Sequence, residues 1–226
     1  MDTYKTNARM VGILFLAAIA AGVLAIPLLQ SIQEAPDDLA EVSENESQVL
    51  LGALFMLIMA VACASIVIPM YPVLKKHNEP LALSSVGFRL IESVTYLVFA
   101  LIMLSIVKLS QEFVEAGAPD TSYYQTLATL LLAASDWIFL IGSGLFFPLA
   151  AQMYCYIFYQ SKLVPRWLSG WGFIAATLMM INAMLVILDI YTVSSIIFTL
   201  LNVPLALNEI TLAIWLIVKG FDPSAL

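Results

Sequence analysis

Four ionisable side chains fall deep inside stretches that are otherwise apolar: Arg89, Glu92, Asp136 and Glu209. A charge at membrane depth costs ~2.5–3.5 kcal/mol on insertion scales, so such residues usually face a bundle interior or a wet cavity. Arg89 and Glu92 stand at i, i+3, and Ser93 and Tyr96 continue the same helical face. Gln125, Thr129, Asp136 and Ser143 are spaced four, seven and seven apart, and Ser195, Thr199, Asn202 and Glu209 four, three and seven, with Asn208 beside them. Such spacings keep side chains on one side of a helix. Three polar stripes, each with a carboxyl and one with a guanidinium, are therefore expected to converge. The planar donor fork of Arg89 can serve at most one or two of the three carboxyls, which leaves at least one to seek another partner.

That arrangement has two readings. In the functional one, Arg89, Glu92, Tyr96, Asp136, Asn202, Asn208 and Glu209 line a ligand-binding cavity or a proton relay, which needs an ionisable group able to change partner. In the structural one, Arg89 and one carboxylate form a satisfied bridge that only orients helices, and Asp136 fills a polar gap. Pro148 and Pro204 tilt the balance toward function. Each frees a backbone carbonyl four residues back, at Gly144 and Leu200, and broken helices often supply ligand groups in transporters.

Other chemistries find little footing. His77 is the only histidine, so multi-histidine zinc sites are excluded and no metal or other cofactor is expected. No phosphate-cradling glycine loop, no G-x-S-x-G elbow and no mid-membrane lysine for a Schiff base occurs. Cys63 and Cys155 each lie in an apolar run, which argues against a disulfide. Gly52, Met56, Met59, Cys63 and Met70 share a helical face that could hold Cu(I), but without flanking histidines packing is the better reading. Asp189 and Lys108 lie near run ends, where they can reach water.

The elements that must position these residues follow from composition. Of 226 residues, 62% are hydrophobic and only 11% charged, with a mean hydropathy of +0.97. A soluble domain carries roughly 25% charged residues, so this chain cannot hide its apolar surface from water. Apolar runs at about 10–30, 49–73, 82–108, 125–160, 168–190 and 196–219 each approach or exceed the ~20 residues a spanning helix needs. The expectation is an all-α, polytopic membrane protein, residues 1–226 forming a single six-helix bundle in contact with lipid. The first run is too long for a cleaved signal core and is read as a retained helix. The fourth would make a rod of ~54 Å against a hydrocarbon core of ~30 Å, so it must kink, tilt or project, with Pro148 as the cause.

Lys5, Arg9, Lys75, Lys76, Lys162, Arg166 and Lys219 fall at run ends belonging to one side, which should be cytoplasmic, with both termini there. The other side receives the acidic extracytoplasmic loop 33–48, with Glu34, Asp37, Asp38, Glu41, Glu44 and Glu46, and a second connection with Glu112, Glu115 and Asp120. The loop reads as a solvated linker. The formal charge of −7, without a basic face, rules against nucleic acid. Tyr71, Tyr159, Trp167 and Trp171 on one side, and Tyr123, Tyr124 and Tyr191 on the other, suit interfacial anchors.

Several segments carry a resemblance. Asn45-Glu46-Ser47-Gln48-Val49-Leu50-Leu51-Gly52, Val73-Leu74-Lys75-Lys76-His77-Asn78-Glu79, Val86-Gly87-Phe88-Arg89-Leu90-Ile91-Glu92, Ser135-Asp136-Trp137, Leu163-Val164-Pro165-Arg166-Trp167-Leu168-Ser169-Gly170-Trp171-Gly172 and the stretch from Glu209 to Gly220 resemble an uncharacterised bacterial membrane family, domain of unknown function 4386. Ser110-Gln111-Glu112 and Ala116-Gly117-Ala118-Pro119-Asp120 fit the same pattern. The resemblance covers nearly the whole chain and implies a bacterial inner-membrane location; it brings no assigned activity.

The leading expectation for function is therefore small-molecule or ion binding, transport or sensing through a central polar cavity. An intramembrane enzyme acting on a lipid is the alternative, with Glu92 or Asp136 as general base and Arg89 on the head group. A structural or assembly subunit, whose acidic loop meets a basic partner, is the third.

Overall fold

The computed structural model describes residues 2–34, 39–118, 123–193 and 195–225, and among them no strand occurs. The helices are α1 (Asp2–Glu34), α2 (Leu39–Glu44), α3 (Glu46–Leu74), α4 (Glu79–Glu115), α5 (Tyr123–Ile141), α6 (Phe147–Ser161), α7 (Arg166–Ile187) and α8 (Ile196–Val218). A π-helical turn, Gly142–Phe146, joins α5 to α6, so that six apolar spans result, the fourth being Tyr123–Ser161. The chain is a multi-pass membrane protein. Its outward side chains, among them Ile68, Leu101, Leu130, Ile174 and Leu200, are exposed all round the bundle, a surface that only a bilayer solvates.

Helix ends follow local chemistry. The side chain of Asn78 accepts from Leu81 N at 3.1 Å and Pro80 sits in the first turn of α4, while Ser195 caps α8 by accepting from Ile197 N at 3.2 Å. Gly220, at φ 78°, ends α8 and donates its N–H to Trp215 O. Asp189, at φ 58°, turns the chain just after α7, a little before the end expected from the apolar run.

The break in the fourth span takes a form that the proline alone does not specify. Pro148 cannot donate to Gly144, and the irregularity settles in the residues just before it, where Phe147 N–H bonds Gly142 O five residues back. One extra residue in that turn rotates α6 relative to α5. Gly142 also lets the turn press on α4, since a Cβ there would overlap the side chain of Thr95.

Packing closes a circuit: α1 lies between α3 and α8, α4 contacts α3, α5 and α6, and α7 bridges α6 and α8. The largest buried cluster includes Phe15, Ile66, Met70, Tyr154, Phe158 and Leu212; a second, toward the opposite end, includes Leu29, Met56, Phe99, Met103 and Ile106. The acidic connection differs from a solvated linker. Its residues Leu39–Glu44 form α2, which buries Leu39 against Phe113 and Ala128 and adds Val42 to the second cluster, while Glu41 and Glu44 stay exposed. Asp37, Asp38 and Asp120, counted above on that side, lie outside the described residues, as does the side chain of Glu34.

Candidate functional site

Arg89 leaves α4 toward the middle of the bundle, and its surroundings come from five spans. Its Nη1 donates to Glu92 Oε2 at 2.7 Å and Oε1 at 2.9 Å, one turn on. Its Nη2 stands 3.6 Å from Oε1 of Glu209 on α8. The guanidinium carbon is 5.2 Å from the ring centre of Phe15 on α1 and 5.0 Å from that of Phe147 on α6. Two aromatic faces so placed stabilise a cation by their quadrupoles while excluding water, and each contributes about 2 kcal/mol when desolvated.

Glu92 is held as firmly as Arg89. The hydroxyl of Tyr96 donates to its Oε1 at 3.2 Å, and the thiol of Cys63 on α3 reaches the same carboxylate. Ser93 donates to Ala60 O at 2.7 Å, which pins this part of α4 to α3. Arg89 and Glu92 are each 2% exposed, whereas Glu209 is 12% exposed. The two carboxyls are therefore unequal. Glu92 grips the guanidinium through hydrogen bonds, and Glu209, beyond hydrogen-bonding distance, meets it only through charge. Arg89 Nε, fully buried, has no hydrogen-bond partner among the described residues, although a buried donor normally finds one.

Of the residues singled out by sequence, Arg89, Glu92, Tyr96 and Glu209 come together. Asp136 does not, so the three stripes expected to converge do not meet. The face that α5 buries is Ala128, Leu132, Ser135 and Leu140, and Asp136, ~100° further round, is exposed. The rest of its stripe also does without the cluster: Thr129 donates to Gln125 O and Ser143 to Phe139 O, each back to its own helix. Asn202 accepts from Asn182 of α7 at 2.8 Å, and Asn208 donates to Leu168 O of α7 at 2.9 Å. Both asparagines thus tie α8 to α7 rather than facing Arg89.

The sequence does not mark several other participants as site residues, Asn182 among them, which with Asp189 seven residues on reads as solvation at the helix boundary. Asn182, fully buried, is the hub of a second polar knot: its amide also donates to Phe198 O at 2.9 Å, and the hydroxyl of Tyr191 donates to its Oδ1. A buried amide is satisfied there by a carbonyl in the first turn of α8, a helix that continues through Pro204. Phe15 and Phe147 carry no signal of their own because each sits in a run of similar residues, and Cys63 reads from sequence as packing on its Met-rich face; only the presence of an intramembrane arginine signals that aromatic neighbours are needed.

Fold and site together define a six-span helical membrane protein with one guanidinium and two unequal carboxyls at its core. The chain belongs to the family described as Domain of unknown function (DUF4386), whose model matches residues 10–220 and so takes in all the clustered residues. No curated protein and no solved structure matches the chain.

Proposed function

We propose that this protein binds a small molecule or ion at the polar centre of the bundle, as a transporter or sensor, with Arg89–Glu92 as the fixed half of the site and Glu209 as the exchangeable half. The observation that carries the reading is the asymmetry of the two carboxyls about one cation, 2.7 Å and hydrogen-bonded against 3.6 Å and partly exposed. One positive and two negative groups leave room for a further positive charge beside Glu209, or for an anion that takes its place on Arg89. The unpartnered Nε of Arg89 supports the same reading, because it is a donor waiting for an acceptor.

For location, we assign a bacterial inner membrane with both termini cytoplasmic. The basic ends support it: Lys76 bonds the hydroxyl of Tyr4 near the start of the chain, Asp222 N donates to Leu163 O beside Lys162, and Gly220 lies against Ala8. The lipid-enzyme alternative draws less support, since Glu92 spends both oxygens on Arg89 and Asp136 stands apart from them.

Thermal unfolding of the purified protein in detergent, screened against amines, monovalent cations and small carboxylates or phosphates, tests the proposal. A ligand at a hundred times its Kd stabilises by about 2.7 kcal/mol. A cationic ligand should stabilise wild type and Asp136→Asn alike and lose its effect on Glu209→Gln; an anionic one should act on Glu209→Gln more strongly than on wild type and Asp136→Asn. Identical responses of all three proteins to the whole panel would overturn it.

A further inference from the structure

A second feature lies at the end of the bundle that holds both chain termini. The end of α6, the start of α7, the last turn of α8 and the tail surround a cavity of about 500 Å³. Three of its lining residues are cations, Lys162, Arg166 and Lys219, and none of them pairs with a described acid.

The backbone has been arranged to hold these groups there. Lys162 ends α6 in the left-handed conformation, φ 61°, which is uncommon for a residue with a side chain. Arg166 donates its Nε to Tyr159 O at 3.3 Å and lies 5.3 Å from the Tyr159 ring centre, leaving its Nη donors for another acceptor. Asp222 N donates to Leu163 O at 2.9 Å, which straps the tail across the gap. The one acid in the lining, Asp222, is occupied: its Oδ1 accepts from Ser224 N and Oγ at 2.8 and 2.7 Å, bonds that hold its carboxyl below the usual carboxylate range.

Lysines at helix ends ordinarily extend toward water and offset the helix dipole. That accounts for Lys162 and Lys219 one at a time, not for three unpaired cations around one cavity. Depth narrows the choice of ligand. Trp215 forms part of the wall, and Trp167, next in the chain to the lining Arg166, stacks on Trp171 with ring centres 6.5 Å apart; tryptophan is the residue type that marks the headgroup layer.

We propose that this cavity binds a phosphate-bearing anion, the headgroup of an anionic membrane phospholipid, through Lys162, Arg166 and Lys219. Basic pockets between transmembrane helices take such headgroups, and each Lys or Arg near an anionic surface contributes about fivefold in affinity. A soluble phosphate compound would meet the same chemistry, and the aromatic wall at headgroup depth is what favours the lipid.

Native mass spectrometry of the full chain in neutral detergent, titrated with phosphatidylglycerol and separately with phosphatidylcholine, tests this. Wild type should retain phosphatidylglycerol selectively, and K162Q/R166Q/K219Q should bind it roughly a hundredfold more weakly. K162R/K219R should bind like wild type, and so should K75Q/K76Q, which removes two cations at the same end but outside the cavity. Competition by inorganic phosphate or glycerol phosphate at concentrations comparable to the lipid would uphold the site and make its occupant soluble. Should the triple variant fail to fold, K162Q and K219Q are read singly, each expected to weaken binding about fivefold. Equal phosphatidylglycerol binding by wild type and a folded triple variant, or an equal loss in K75Q/K76Q, overturns the proposal.

Discussion

At the scale of single residues, the account turns on how a guanidinium is kept in a place that oil cannot solvate. Arg89 is stabilised by Glu92, Glu209 and two aromatic faces together, so removing it strands two carboxyls at once. Breaking a buried pair from one side costs about 3–5 kcal/mol. Arg89→Met should lower the unfolding temperature in detergent accordingly. Arg89→Lys, which keeps charge but loses the fork, should fall between it and wild type. Adding Glu92→Met to Arg89→Met should recover much of the loss, because an apolar pair needs no partner. A double variant no more stable than Arg89→Met would show that the pair is not what holds this region.

The Arg89–Glu92 pairing was legible because i, i+3 spacing forces contact, and Glu209 because its depth demands a partner. Asp136 was misplaced for a physical reason. In a chain whose lipid-facing and core-facing sides are both apolar, hydropathy does not say which side is in, and polar residues are the only markers of phase. A stripe whose hydroxyls bond their own helix, as Thr129 and Ser143 do, marks nothing.

At the scale of helices, six spans were readable because a crossing helix must be apolar along its whole length. The π turn was not, since Pro148 announces a missing hydrogen bond without saying how the backbone absorbs it. Helix packing was also hidden, because close approach depends on small residues whose neighbours are unknown until the fold is. Gly12 is such a residue: a Cβ there would meet Ala213 O of α8 at 2.5 Å, backbone that cannot move aside. Gly87, by contrast, has nothing within 4 Å of that position. Gly12→Ala should therefore destabilise by roughly 1–3 kcal/mol through overpacking. Gly87→Ala should be neutral or stabilise by up to about 1 kcal/mol through helix propensity. Unfolding temperatures of the two variants check this, and equal shifts would refute the α1–α8 contact.

At the scale of the molecule, both ends of the bundle are finished differently. One carries α2 as an apolar plug beneath exposed acids; the other carries Lys75, Lys76, Lys162, Arg166 and Lys219, with Lys76 over the Tyr4 ring. That asymmetry predicts sidedness. In intact bacterial spheroplasts, a cysteine replacing exposed Glu115 should react with an impermeant maleimide, and one replacing Lys76 should react only after permeabilisation. Native Cys63 and Cys155 are buried and should stay silent. The reverse pattern would invert the topology.

The most direct measurement on the central claim concerns which carboxyl changes partner. With the strongest compound from the thermal screen, the infrared difference spectrum between free and saturated protein should contain a carboxyl signal that disappears in Glu209→Gln and persists in Asp136→Asn. A spectrum that Glu209→Gln leaves unaltered would contradict the exchangeable site, and would leave Arg89, Glu92 and Glu209 as a brace between helices.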